Sequence, residues 1–183
     1  MKPLLLIALL FATIFTASAQ QRYFTKTGTI SFEAGTSVED IDGVNKAVTS
    51  VFDASTGQIE FAVLIKGFEF KRALMQEHFN ENYMESDKFP KAVFKGTITN
   101  LDKINFKKEG TYAATVKGIL DMHGVKKETE ASGNFRVTGE TIQGTATFTI
   151  VLADFGISIP GVVKDKISKT VKIQVNCNYT PLK

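Results

Sequence analysis

The chain has 183 residues, with 22 Lys and Arg against 19 Asp and Glu, a single cysteine, no tryptophan and fifteen phenylalanines. The resulting net charge of +3 is too small and too evenly spread to argue for a nucleic-acid partner or an anionic membrane surface. One cysteine excludes an intrachain disulfide, and the length gives one ordinary domain a core large enough to need no staple.

The chain opens with Met1-Lys2, a nearly unbroken apolar run from Leu4 to Ile14, and then Ala17-Ser18-Ala19. A short positive start, an apolar centre and small residues at −3 and −1 make residues 1–19 a secretory signal peptide. The run is too short and wrongly flanked for a membrane-spanning helix. The expectation is cleavage after Ala19, a single domain over residues 20–183, and residence in the periplasm or outside the cell, with no transmembrane segment after removal of the leader. No cysteine lies near the cleavage site, which argues against a lipid anchor.

From there period-2 alternation dominates. It runs through Phe24–Phe32, Val44–Phe52, Ile59–Phe70, Ala92–Ile98, Tyr112–Met122, Val125–Val137, Ile142–Leu152 and Ile167–Thr180. In the last of these, Val171, Ile173, Val175, Cys177 and Tyr179 alternate with a wholly polar face, the mark of a half-buried antiparallel strand. Turn residues fall between the runs at Ser55-Thr56-Gly57, Lys108-Glu109-Gly110, His123-Gly124 and Thr138-Gly139. Asp154 to Asp165 reads as a longer loop. Lys71 to about Glu85 is the one helical stretch, with Met75, Phe79 and Tyr83 along a stripe.

About eight strands with one interrupting helix predict an all-β fold, and the polar outer faces exclude a lipid-facing barrel. On the inner faces, small residues sit beside large ones: Ala114 and Gly118, Ala131 and Gly133, Gly144 and Ala146. Two readings stand open. The small residues leave an unfilled apolar cavity, or they mark bends in a packed core. A cavity with so few inner charges suits a long hydrocarbon with its polar head at the mouth.

The stretch "MQEHFNENYMESDKFPKAVFKG" (Met75–Gly96), followed by "GILDMHGVKKE" (Gly118–Glu128) and "DFGISIPGVVKDKISKTVKIQV" (Asp154–Val175), resembles the YceI family of periplasmic lipocalin-like proteins. The specific part is the helix leading into Phe89-Pro90-Lys91-Ala92-Val93-Phe94. The resemblance implies an eight-stranded antiparallel lipocalin-like barrel with one short helix inserted mid-chain as a cap. It also implies an apolar tunnel for a polyisoprenoid or similar amphiphile, such as an isoprenoid lipid or isoprenoid quinone. The chain departs from the family where Thr29-Ile30-Ser31-Phe32-Glu33 meets its first-strand pattern only loosely. The polar, acidic insertion Gly35–Asp42 is a second departure, at the expected mouth.

On this reading Met75, Phe79, Tyr83 and Met84 form the dry side of a lid. The tunnel wall is Phe94 and Ile98 on the fourth strand, Ala114, Gly118 and Leu120 on the fifth, and Phe135 on the sixth. Gly144, Phe148 and Ile150 on the seventh and Ile173 on the eighth complete it. Lys88 and Lys91 are the candidates for the head group.

His78 lies among Glu77, Glu81 and Glu85, but a helix that binds zinc normally presents two histidines four residues apart, and here there is one. No metal and no cofactor are expected. His78 is read as hydrogen-bonding within the lid, the acidic residues as its wet face, and His123 as turn chemistry. Cys177 is read as inert core. The leading expectation is a non-enzymatic carrier. An enzyme using His78 and a nearby carboxylate on such a lipid, and a ligand-free interaction barrel, stay open beside it, as does pairing of two chains into a homodimer.

Overall fold

The computed structural model describes residues 21–182, so the signal-peptide reading of residues 1–19 lies outside the described residues. Eight antiparallel strands form a closed barrel in sequence order: β1 (Arg22–Gly35), β2 (Asp42–Asp53), β3 (Gln58–Leu64), β4 (Lys91–Ile98), β5 (Gly110–Met122), β6 (Val125–Thr138), β7 (Thr141–Val151) and β8 (Ile167–Pro181). β8 pairs back onto β1, from Tyr23 opposite Pro181 to Gly35 opposite Ile167. The alternation in each strand places one set of side chains inside and the other in water, which is why the period-2 runs coincide so closely with the strands.

The turn chemistry holds. His123 and Gly124 both take positive φ, at 53° and 74°, and join β5 to β6 as a two-residue hairpin. Gly28 sits at the register shifts of β1, where a Cβ would come within 2.6 Å of Cys177 Sγ, so the missing side chain makes room for the thiol.

The third strand is shorter than its alternation suggests. β3 ends at Leu64, and Ile65–Gly67 forms a 3-10 turn instead of continuing to Phe70. The buried Asn45 side chain donates to the Leu64 carbonyl at 2.9 Å and lies against Gly67, occupying the place a continuing strand would need. This bend turns Phe68 and Phe70 inward. The β2–β3 ladder accordingly reaches only from Phe52–Ile59 to Thr49–Ala62, and the lower half of β2 meets the bent chain through Val44 and Glu69.

The barrel has a solid end and a hollow end. At the solid end Phe52, 1 % exposed, is ringed by Tyr23, Phe106, Phe135 and Tyr179 with centroids 4.9–5.2 Å away. Tyr179 hydroxyl donates to Ser50 Oγ at 2.9 Å, and Ser50 in turn donates to the Glu60 carbonyl at 2.8 Å, so the buried hydroxyls are satisfied. The β4–β5 connection packs Ile104 and Phe106 over this end.

At the hollow end the mid-chain helix α1 (Ala73–His78) runs on into a π-helical turn, Phe79–Tyr83. Met84 N–H donates to the Phe79 carbonyl at 2.9 Å, five residues back. In an unbroken α-helix Met84 would lie about 100° round from Tyr83. The widened turn brings both toward the barrel, with Met84 buried.

Candidate functional site

Beneath the lid lies a cavity of about 450 Å³. Its walls are apolar: Phe32 and Ala34 from β1, Val63 from β3, Ile65 and Phe68 from the bend, Leu120 and Met122 from β5, and Val171 and Ile173 from β8. Phe79 anchors the lid there, with its ring 4.9 Å from Phe70 and 5.5 Å from both Phe32 and Phe68. Tyr83 also faces the cavity, and burial pushes its phenol pKa up, keeping it neutral.

A second cavity of about 110 Å³ lies deeper in the barrel. Ile30, Val63, Ala92, Leu120 and Phe148 line both, forming a waist between them. Beyond the waist the walls are Phe94, Ala114, Ala131, Phe135, Gly144 and Ala146, closed at the end by Tyr179.

Of the tunnel residues expected from sequence, Met75, Phe79, Tyr83, Met84, Ile150 and Ile173 line the larger cavity. Leu120 and Phe148 stand at the waist, and Phe94, Ala114, Phe135 and Gly144 line the smaller cavity. Two lie elsewhere. Ile98 is 2 % exposed in the packed solid end. Gly118 faces Gly96 across the β4–β5 ladder, where a Cβ would fall 2.2 Å from the Lys95 carbonyl oxygen. Its missing side chain is used by a close strand approach, so the packed-bend reading applies there. Gly144 is lightly filled as well, since a Cβ would meet the rings of Phe135 and Tyr179 at 3.1 Å. The larger cavity has no glycine in its wall. It is made by the bend after β3, which removes a stretch of strand from the barrel and puts the lid in its place.

The expected head-group lysines are not at the mouth. Lys88 lies 3.8 Å from Glu85 and stacks over Phe89, and Lys91 is exposed on the outer face of β4. The polar groups lining the cavity are instead Glu39, Arg72, His78 and Lys166. Glu39 Oε1 accepts from Arg72 Nη2 at 2.7 Å, and its other oxygen lies 3.4 Å from Lys166 Nζ. The Arg72 hydrogen bond, aided by Lys166, holds the Glu39 carboxyl below the usual carboxylate range. Thr36 Oγ1 donates to the Asp165 carbonyl at 2.7 Å, joining the same two loops. Glu39 belongs to the polar insertion Gly35–Asp42, the one sequence signal that pointed here. Arg72 and Lys166 carried none, because nothing local distinguishes them from other surface cations.

His78 does not hydrogen-bond within the lid: it is exposed at the cavity mouth, and among the described residues it makes no side-chain hydrogen bond or ion pair. Glu77 and Glu81 are exposed, as a wet face should be. Among the described residues no three His, Cys, Asp or Glu side chains converge as a metal site would require. The histidine with partners is His123. Its Nδ1 lies 2.8 Å from the Phe155 carbonyl and its Nε2 3.0 Å from Glu85, at the lid's end, and its ring packs against Phe89. Cys177 is fully buried in the solid-end cluster, where burial pushes its thiol up to about 11. No helix among the described residues is long and apolar enough to cross a membrane.

The model of the YceI-like domain matches residues 19–179 of the chain. No curated relative matches it. Among solved structures, it is similar to a polyisoprenoid-binding domain from Saccharophagus degradans, at 13% identity and a TM-score of 0.76, covering 89% of this chain and 99% of that one. BcnA of Burkholderia cenocepacia is similar at 13% identity and a TM-score of 0.69, over 84% of this chain and 96% of that one. The YceI protein of Campylobacter jejuni follows at 15% identity and a TM-score of 0.59, over 77% and 84%. These identities speak for a shared barrel.

Proposed function

The chain belongs to the family of YceI-like domains, and from that premise and the lining of its cavity we propose that it is a non-enzymatic carrier of a long apolar chain of the polyisoprenoid class. The single observation that carries this is the pair of cavities meeting at the Ala92 waist, enclosed by aliphatic and phenylalanine side chains and capped by a lid. Their walls offer a hydrocarbon tail burial worth about 0.8 kcal/mol per methylene. They offer little to a sugar or a charged metabolite, whose polar groups would lose their water without replacement. The larger cavity falls within the roughly 300–1,000 Å³ usual for small-molecule sites. The similarity to the Saccharophagus polyisoprenoid-binding domain supports the choice of lipid class. The amino-terminal pattern of a charged start, an apolar run and Ala17-Ser18-Ala19 supports export, with the carrier working in the periplasm.

The test is mass spectrometry of an organic extract from protein purified without detergent. A lipid in stoichiometric amount is the expected result. An extract without lipid, together with failure of added prenols to bind, would overturn the reading.

A further inference from the structure

We propose that the mouth of the cavity is a seat for a compact dianionic head group, a phosphate monoester carried on the apolar chain, and that the Glu39 carboxylate is an internal stand-in which this head group displaces. The inference rests on the carrier reading and adds the chemical class of the head.

Arg72 precedes α1, Lys166 precedes β8, and Glu39 lies between β1 and β2, so the three meet only because the hollow end brings these segments together. All three line the cavity whose other walls are apolar. Elsewhere on this end cations and carboxylates pair one to one: Lys66 with Asp87, Lys71 with Asp42, Lys88 with Glu85. At the mouth two cations share one carboxylate. A surplus positive charge therefore stands beside the one opening through which an apolar tail would enter.

The donor set suits phosphate. Arg presents a planar fork that takes two oxygens of one anion, and Lys supplies a point charge. A phosphate monoester carries about −1.5 to −2 at neutral pH, which matches two cations better than a single carboxylate does. Displacement needs no backbone movement. The Glu39 loop is held by its own bonds, Ala34 N–H to the Ile41 carbonyl and Thr36 N–H to the Glu39 carbonyl, so the side chain alone has to swing into water. The lowered acidity constant of Glu39 agrees with a site that prefers an anion between these two cations.

The experiment uses farnesyl phosphate and farnesol, ligands that share a tail and differ in the head, titrated at pH 8 into the detergent-free protein. The wild type is expected to bind the phosphate at least about tenfold more tightly, with the preference shrinking as salt is raised. In the R72Q/K166Q double variant farnesol binding is expected to persist while the phosphate falls to the level of farnesol. Glu39→Gln is expected to tighten the phosphate and leave farnesol unchanged. Inorganic phosphate is expected to compete weakly with farnesyl phosphate and not with farnesol. Equal wild-type affinity for the two farnesyl ligands would overturn the head-group proposal alone. Equal loss of both in the double variant would do the same, showing Arg72 and Lys166 to be structural. Inorganic phosphate binding as tightly as farnesyl phosphate would show an ion site without a lipid. Failure of both farnesyl ligands to bind would remove the carrier reading and this proposal with it.

Discussion

His123 reaches the lid through Glu85: the imidazole Nε2 lies 3.0 Å from the carboxylate, while Nδ1 faces the Phe155 carbonyl at 2.8 Å. Both ring nitrogens thus meet oxygen acceptors, and both contacts are hydrogen bonds only when the ring carries both protons. One hairpin turn thereby holds the end of the lid and the 3-10 turn after β7 (Leu152–Phe155) together. His123→Ala should cost about 1–3 kcal/mol in urea unfolding, because it leaves a largely buried carbonyl and the lid end unpartnered. Limited proteolysis between residues 75 and 90 should accelerate in parallel. Unchanged cleavage there would show that the lid is held by its phenylalanines alone.

The waist predicts a chain-length limit. Ala92 is 7 % exposed and lines both cavities, so a phenylalanine there should block the passage without filling the larger cavity. Ala92→Phe should keep ligands of about ten carbons and lose most of the affinity that each further methylene adds, about 0.8 kcal/mol apiece in the wild type. Displacement titrations over a homologous series would show a plateau in the variant and a continued rise in the wild type. Parallel series would mean that tails do not pass the waist.

Gly118 offers a contrast between a glycine that makes space and one that permits contact. Gly118→Ala would place a Cβ 2.2 Å from the Lys95 carbonyl oxygen, which is backbone and cannot swing aside. A loss of about 1–3 kcal/mol in unfolding free energy is expected, with tail affinity of the folded protein unchanged. A variant as stable as wild type but impaired in loading would place Gly118 on the tunnel after all.

Cys177 supplies a pH dependence whose sign is fixed. Burial raises its thiol from 9.0 to about 11. The unfolded chain releases this proton from about pH 9 and the folded one from about pH 11. Stability is therefore fully present below pH 9 and declines as pH rises to about 11, by up to about 3 kcal/mol. Tyr179, pushed well above its ordinary value by burial, acts in the same direction. Thermal unfolding between pH 8 and 11 measures this. At pH 8 the thiol should react with a maleimide only after unfolding; prompt reaction of the native protein would contradict its burial.

The strands were legible because their signal is local. Val171, Ile173, Val175, Cys177 and Tyr179 alternate whether or not the barrel exists, and the inner face follows from the period alone. The end of β3 was not legible, since Ile65, Phe68 and Phe70 fit an alternating strand as well as a bend. What stops the strand is the Asn45 amide on the Leu64 carbonyl, a partner on another strand. The helix was visible as a stripe, but its π turn was not, because residues 79 to 84 carry no proline or glycine to mark a widened turn.

By itself the sequence determined the class of fold, the direction each strand residue faces, the hairpin at His123-Gly124, and the lid with its Met and Phe side toward the barrel. These depend on neighbours one to four residues away, which the order of residues states directly. Only the tertiary structure decided where the hollow lies and what guards it. The cavity exists where a strand is missing, and Glu39 meets Arg72 and Lys166 because barrel closure brings three loops to one rim. Void space and charge pairing across distant segments are properties of the closed surface, and no local pattern of side chains records them.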